Sequence, residues 1–173
     1  YRGYTADVTR TVPVDGSFTQ EQRAVYEIVL KAQEAGIQAV RAGASFGAPG
    51  EAASQVMARG LAKLGLIRGP QDYNGLRRFF PHGTSHYLGI QVHDVGSYRA
   101  LIAGAVITVE PGLYIPPAED IDPRWWNLGV RIEDDVLVTE GKPVILSDGI
   151  PKGVDEIEAL MAKRRAATES GGR

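Results

Sequence analysis

The chain has 173 residues, and 43% of them are hydrophobic, which is enough for one globular domain with a buried core. Its 21 acidic and 19 basic side chains give a formal net charge of -2, which argues against a nucleic-acid partner and against a polybasic membrane contact. The chain has no cysteine, so disulfide frameworks and thiolate metal sites are excluded, and any metal ion must be held by histidine and carboxylate. No apolar run is long enough to span a membrane, and we expect a cytoplasmic protein.

The first segment of the chain has the alternation of a strand. Polar and apolar residues alternate over residues 2–14, with the sequence RGYTADVTRTVPV. This pattern predicts a half-buried strand. Its polar face carries Asp7, Thr9 and Thr11. The pair Asp15-Gly16 then predicts a turn.

Two helices are predicted next. Thr19 has the position of an N-cap, and Gln22 three residues later completes a capping box, so a helix is expected to begin here. Gly43 is expected to close that helix. Residues 50–64 predict a second amphipathic helix, which stops near Gly65.

The second half of the chain predicts strands and a final helix. Residues 106–115 and residues 128–139 are rich in valine, isoleucine and leucine, and each segment predicts a strand. Residues 113–126 hold two consecutive prolines and several acidic side chains, and they predict a surface loop. Residues 154–164 predict a short helix, and residues 166–173 predict a frayed tail because they are small and polar. Strands with helices packed against them indicate an α+β fold.

Every histidine of the chain lies in one short segment. His82, His86 and His93 fall within HGTSHYLGIQVHD, among glycines and aromatic residues. Such clustering favours a functional site. For each histidine taken alone, a structural role as a solvated or simply hydrogen-bonded side chain is as good an interpretation as a functional role.

Three carboxylates lie among strand-forming, apolar neighbours. They are Asp7, Glu110 and Glu133. A charge in the centre of a sheet is costly unless it is paired or bound to a metal ion. Alternation along each strand can direct these side chains into one cavity, where one histidine and several carboxylates form a hard, oxygen-rich ligand set suited to two divalent ions. Asp134 and Asp135 are instead expected to be partly exposed surface charges.

Four motifs occur in an order that resembles a known family. They are YTADVTRT, HGTSHYLGIQVHDVG, TVEPGLYI and GVRIEDDVLVT, and they span residues 4–139. The chain resembles the pita-bread metallopeptidases, which include aminopeptidase P, prolidase, methionine aminopeptidase and creatinase. It is most similar to aminopeptidase P and prolidase. The resemblance implies an incomplete pita-bread fold, in which residues 1–165 form the C-terminal part of the catalytic domain and the first half is missing.

The resemblance also implies a ligand set and catalytic residues. Two divalent metal ions are implied, with manganese preferred and cobalt or zinc as alternatives. The implied metal ligands are Asp7, His86, Glu110 and Glu133. The residues implied to contact substrate, shuttle a proton or orient ligands are His82, His93, Glu110 and Arg131. The family's remaining ligand is an aspartate upstream of Asp7, so we expect this chain to be a fragment that binds metal weakly and is not fully active alone.

The implied activity is that of a metal-dependent Xaa-Pro aminopeptidase, which hydrolyses the bond between an N-terminal residue and proline. The implied partner is a peptide with proline at its second position, and the full-length protein is expected to form a homo-oligomer. Two alternatives stay open. One is a different enzyme on the same fold, either an Xaa-Pro dipeptidase (prolidase) or a creatinase. The other is a metal-free pita-bread module that binds peptides or proteins.

Overall fold

The structure is a computed structural model that describes residues 2–170, with side chains described as far as residue 164. The described residues form helices and short antiparallel strands, in keeping with the predicted α+β class. The helices are α1 (Gln20–Gln38), α2 (Ala48–Lys63), α3 (Tyr73–Phe79) and α4 (Val154–Ser170), with one 3-10 turn at Pro123–Trp125. The strands are β1 (Val106–Val109), β2 (Gly112–Ile115), β3 (Leu128–Arg131), β4 (Asp134–Leu137) and β5 (Val144–Ile145). The strand order is β1-β4-β5 in one sheet and β2-β3 in the other.

Helix α1 begins as the sequence predicts. The Thr19 hydroxyl accepts a hydrogen bond from the Gln22 backbone N–H, and the Gln22 side chain accepts one from the Thr19 N–H, so the capping box is confirmed. The predicted end at Gly43 is wrong, because the helix stops at Gln38. Further along, two backbone N–H groups bond distant residues instead: the Ala42 N–H donates to the Thr139 carbonyl and the Gly43 N–H donates to the Leu101 carbonyl.

Helix α2 starts two residues earlier than predicted and ends as expected before Gly65. Pro49 lies in its first turn, where a missing N–H costs nothing, and Gly65 follows the helix with a φ of 74°. The α1 and α2 helices pack closely enough that glycine is required at Gly60, since a Cβ there would lie 2.7 Å from side-chain atoms of Ile28. These helices, together with α3, α4, β2 and β3, surround the larger apolar core. Its fully buried members include Val25, Tyr26, Val29, Met57, Leu61, Phe79, Leu113 and Ile132.

The predicted strand over residues 2–14 is wrong, because no regular ladder forms there. Residues 4–13 have no regular secondary structure, and side-chain hydroxyls make many of the contacts of this segment. The Glu133 N–H donates to the Thr9 carbonyl, while the Thr11 hydroxyl both donates to the Arg131 carbonyl and accepts from the Arg131 N–H. The predicted turn that follows is confirmed, since the Gly16 N–H bonds the Pro13 carbonyl at 3.0 Å.

Each of the two long predicted strands is split in two. The β1 and β4 strands pair up to Val109 opposite Asp134, and pairing resumes in β2 and β3 with Gly112 opposite Arg131. Pro111 has no N–H to donate, so the ladder is interrupted there and across the chain at residues 132–133. The register is the same on both sides of this gap, which places Glu110 opposite Glu133.

Several elements differ from the sequence prediction in extent. The α3 helix, the 3-10 turn and β5 were not predicted, and the first residues of the predicted loop at 113–126 belong to β2. The terminal helix is longer than residues 154–164, because α4 continues to Ser170. The expected frayed tail over residues 166–173 is therefore helical as far as Ser170, and residues 171–173 lie outside the described part of the chain. Within residues 2–170, no helix combines the length and apolar character that a membrane crossing needs.

The contact between Gly60 and Ile28 can be tested by substitution. We expect Gly60→Ala to lower the free energy of unfolding by about 1–3 kcal/mol, because the added methyl group overpacks the contact between α1 and α2. In an Ile28→Ala background the same change should be neutral or stabilising by roughly 0.5–1 kcal/mol, since only the helix preference of alanine remains. Urea unfolding of the four proteins measures this. Equal destabilisation in both backgrounds would contradict the contact.

Candidate metal centre

Two glutamates face each other at the gap between the two ladders. Glu110 has 16% of its side chain exposed and Glu133 is only 2% exposed as a residue. Like charges directly opposite each other in a sheet are destabilising. Burial raises the pKa of Glu133 to about 7, a rise that the Thr9 hydrogen bond opposes and the nearby Glu110 and Asp7 carboxylates reinforce. Burial likewise raises the pKa of Glu110, although His86 opposes the rise.

His86 is placed beside these glutamates by pairing with β1. The Thr108 N–H donates to the His86 carbonyl at 3.0 Å, and the Glu110 N–H donates to the Thr84 carbonyl at 2.8 Å. The His86 Nε2 atom lies 3.4 Å from Glu110 Oε1. Its Nδ1 atom lies 3.0 Å from the Tyr87 carbonyl, which can only accept a hydrogen bond. In the neutral ring Nδ1 therefore carries the proton, and Nε2 presents a lone pair to the carboxylates.

Asp7 completes the cluster from the N-terminal segment. Its Oδ2 atom lies 3.5 Å from His86 Nε2, and its backbone N–H donates to Asp135 Oδ2 at 3.3 Å. One ligand atom from each of Asp7, His86 and Glu133 lies within 4.8 Å of the others. The structure thus brings together all four residues predicted as ligands, since Glu110 contacts the same imidazole nitrogen.

Two threonines orient these groups. The Thr9 hydroxyl donates to Glu133 Oε2 at 2.5 Å, and the Thr108 hydroxyl accepts from the His86 N–H at 3.1 Å. Neither threonine was predicted to belong to the site. Sequence alternation offered a signal for both, because Thr9 shares the face of Asp7 and Thr108 shares the face of Glu110.

The prediction that Asp134 and Asp135 are surface charges is wrong, because Asp134 is 0% exposed and Asp135 6% exposed. Burial acts to raise the pKa of Asp134, but hydrogen bonds from Lys152 and Ser147, and then from Arg10 and Gln33, lower it to about 2, so the carboxylate is ionised. Asp135 lies on the same strand face as Glu133, and burial raises its pKa. Its Oδ1 atom is buried and has no hydrogen-bond partner among the described residues.

The other predicted site residues lie around the cluster. The exposed His93 stacks edge-on against His86, with ring centroids 4.2 Å apart. His82 lies four residues before His86 in the chain, and its Nε2 atom is 2.8 Å from the Tyr114 hydroxyl. Arg131 shares the strand face of Glu133, and its pKa is raised: burial acts against the rise, while Tyr114 and the two glutamates favour the charged form. Tyr114 was not predicted, although it follows Glu110 by four residues and so shares its face.

The donor set fits a divalent cation. Carboxylate oxygens surround one imidazole lone pair, and the glutamates oppose each other in a half-buried gap. Such a cluster needs protons or a cation to offset its mutual repulsion. Oxygen-rich sets with a single imidazole suit hard or borderline divalent ions. The buried Oδ1 atom of Asp135, without a partner in the described chain, is a further acceptor facing this region.

Comparison with known proteins assigns the family. The sequence profile of metallopeptidase family M24 matches residues 1–140. The chain belongs to this family. The Xaa-Pro aminopeptidase of Escherichia coli (strain K12) is 44% identical to this M24 chain over 174 residues, which cover 95% of the chain and 40% of that protein. The structure of Pseudomonas aeruginosa aminopeptidase PepP superposes with a TM-score of 0.92 at 41% identity and covers 96% of the M24 chain and 40% of that chain.

Solved structures of Escherichia coli aminopeptidase P give the same result. They superpose on the M24 chain with a TM-score of 0.91 at 43% identity, covering 96% of it and 40% of that chain. In three of them a histidine is replaced by alanine, at histidines four and seven residues apart. His82, His86 and His93 have this spacing. The pita-bread fold and the resemblance to aminopeptidase P are thus confirmed, and the chain spans about 40% of the length of these relatives.

The raised pKa of Glu133 has a consequence for stability without metal. Between pH 4.5 and about 7 the folded chain holds a proton on Glu133 that the unfolded chain has lost, so the free energy of unfolding should fall as pH rises through this window. We expect a loss on the order of 3 kcal/mol in chelator-treated protein. Urea unfolding across this range should show a shallower pH slope for Glu133→Gln. The exposed Glu140→Gln serves as the control, and an unchanged slope in Glu133→Gln would refute the assignment.

Proposed function

We propose that this chain carries the metal centre of an M24 Xaa-Pro aminopeptidase, which cleaves the bond between an N-terminal residue and proline. The observation that carries the proposal is the convergence of ligand atoms from Asp7, His86 and Glu133 within 4.8 Å of one another. Glu110 adds a carboxylate oxygen 3.4 Å from the same imidazole nitrogen. The similarity to proteins named Xaa-Pro aminopeptidase supports the substrate class.

The proposed centre holds two divalent ions, with manganese preferred over cobalt or zinc. Asp7, His86, Glu110 and Glu133 would supply the ligand atoms that hold the ions. Support comes from the donor chemistry, because several carboxylates and one imidazole make a site for hard or borderline ions. When bound, such ions supply Lewis acidity and lower the pKa of water from about 15.7 towards 7.

The proposed proton carrier is Glu110. Its pKa is raised, first by burial, so it can hold or release a proton closer to neutral pH than a free carboxylate does. It lies at the gap in the ladder, where Pro111 removes the next backbone donor. Glu110 would take a proton from the attacking water and deliver it to the proline nitrogen as that nitrogen leaves.

The proposed substrate contacts are three residues at the edge of the cluster. The exposed His93, beside His86, would donate a hydrogen bond to the oxygen of the scissile carbonyl as negative charge develops on it. His82, held by the Tyr114 hydroxyl, would position the substrate beyond the scissile bond. Arg131 would orient the ligands from the same strand face. A cytoplasmic location and a homo-oligomeric full-length protein stay predictions.

Metal binding is the first test. We expect the chain to bind Mn²⁺, and we expect His86→Ala to weaken that binding at least tenfold, because the substitution removes a ligand atom. His93→Ala is the matched control, since it removes a neighbouring imidazole outside the ligand set. Equilibrium dialysis with metal analysis measures both. A chain that binds no divalent metal would favour the metal-free binding module, and an unaltered affinity in His86→Ala would remove that residue from the ligand set.

Proton transfer by Glu110 is the second test, made in the natural protein that contains this chain. Glu110→Gln should lower kcat for Xaa-Pro-Yaa tripeptides by roughly 100-fold or more, because the amide cannot accept the proton. Glu140→Gln, an exposed carboxylate of the same type, should leave kcat unchanged. Retention of kcat in Glu110→Gln would exclude the proposed role. Turnover of Xaa-Pro dipeptides without turnover of tripeptides would assign a prolidase instead.

A further inference from the structure

The segment that carries Asp7 lacks a strand ladder, and one arginine makes several of the hydrogen bonds that hold it. Arg10 has five N–H donors, and every one of them has an acceptor. Its Nη1 atom donates to the Thr9 carbonyl at 3.0 Å and to the Glu133 carbonyl at 2.6 Å. Its Nη2 atom donates to Asp134 Oδ1 at 2.7 Å and to the Ile150 carbonyl at 3.0 Å, and Nε donates to the Pro151 carbonyl at 3.1 Å.

The partner of Arg10 is saturated as well. Asp134 Oδ1 accepts from Arg10 and from the Ser147 hydroxyl at 2.6 Å. Asp134 Oδ2 accepts at 2.6 Å from each of Gln33 Nε2 and Lys152 Nζ. A carboxylate offers about four lone-pair sites, so this ionised group has no free acceptor. The ion pair joins the N-terminal segment, β4, α1 and the loop before α4.

The pair lies behind the metal centre and not in it. Side chains alternate along a strand, so Glu133 and Asp135 face the cluster while Asp134 points to the other side, where it contacts α1 through Gln33. The Arg10 guanidinium meanwhile joins the carbonyls of Thr9 and Glu133. It therefore fixes the backbone two residues from Asp7 against the backbone of Glu133 itself.

We propose that the Arg10–Asp134 pair is the positioning unit that sets the separation between the Asp7 and Glu133 carboxylates for cation binding. The inference rests on the proposed function, because those two carboxylates belong to the proposed metal ligands. Other hydrogen bonds also join the segment to the sheet, including those from Asp7 to Asp135 and between Thr11 and Arg131, but each of these residues contacts one strand residue only. The guanidinium group is rigid and planar, and its donors reach acceptors on the N-terminal segment, on β4 and on the loop before α4 at once.

A lysine cannot replace this arginine. Its ammonium group has three donors at a single point, so it cannot reach the Glu133 carbonyl, the Asp134 carboxylate and the carbonyls of residues 150–151 together. The charge would be kept, however, and Asp134 would still be paired with Lys152. Arg10→Lys therefore removes the fork geometry while leaving the buried carboxylate with a counter-charge.

The test compares Arg10→Lys with Arg23→Lys in the chain. Arg23 also donates from both terminal nitrogens, to Asp155 and Glu158, but it joins α1 to α4 away from the cluster. We expect Arg10→Lys to weaken Mn²⁺ binding, followed by electron paramagnetic resonance, by about 10–100-fold, and Arg23→Lys to leave it within twofold. Equal affinities in Arg10→Lys and wild type, or equal losses in both variants, would overturn the inference.

Amide hydrogen exchange without metal separates this inference from the proposed function. The Glu133 N–H donates to the Thr9 carbonyl, so Arg10→Lys should raise its exchange rate at least tenfold in chelator-treated protein. If the wild-type chain binds no Mn²⁺ but Arg10→Lys still raises this exchange rate, the proposed function alone is contradicted. If Arg10→Lys leaves the exchange rate unchanged, the positioning role of the Arg10–Asp134 pair is contradicted. If Arg10→Lys does not fold, Ser147→Ala removes the bond to Asp134 Oδ1 together with the bond from the Asp135 N–H, and an unaltered Mn²⁺ affinity there would overturn the inference.

Discussion

The repulsion between two opposed glutamates is the constraint on which the site depends. Glu110 and Glu133 face each other where the antiparallel ladder is interrupted, and burial raises the pKa of both carboxyl groups. A sheet does not keep such a pair without protons or a cation between its members. The neighbouring groups point the same way, since the imidazole lone pair of His86 and the carboxylate of Asp7 add electron density to the same volume.

Three consecutive acidic residues divide into two roles because a strand alternates. Glu133 and Asp135 face the cluster, whereas Asp134 is directed towards α1 and is fully paired there. The buried ion pair on the back of the sheet thus supports ligands on its front. Arg10 and Lys152 form ion pairs with Asp134, the residue next to Glu133 in the chain. Their positive charges are therefore paired with Asp134 and do not neutralise Glu133.

Local signals in the sequence predicted what local chemistry determines. The capping box of α1 and the amphipathic pattern of α2 are short-range features. Helix α1 begins where the sequence predicts, and α2 lies within two residues of its predicted bounds. The four ligands were predicted from the resemblance of four motifs to a known family, and the structure brings these residues together. The strand over residues 2–14 and the exposure of Asp134 were wrong, since both depend on partners more than 100 residues away, such as Glu133 for Thr9 and Gln33 for Asp134.

The position of the ligands determines what a cation would do for the fold. They lie on four segments far apart in sequence, so metal binding would cross-link the chain at Asp7, His86, Glu110 and Glu133. The two apolar cores do not include these side chains, and their packing gives the helices and β-strands stability of their own. Metal binding would therefore order the ligand segments more than the cores. The effect should be greatest in the N-terminal segment, because it has no ladder and its ligand is held mainly by side-chain hydrogen bonds.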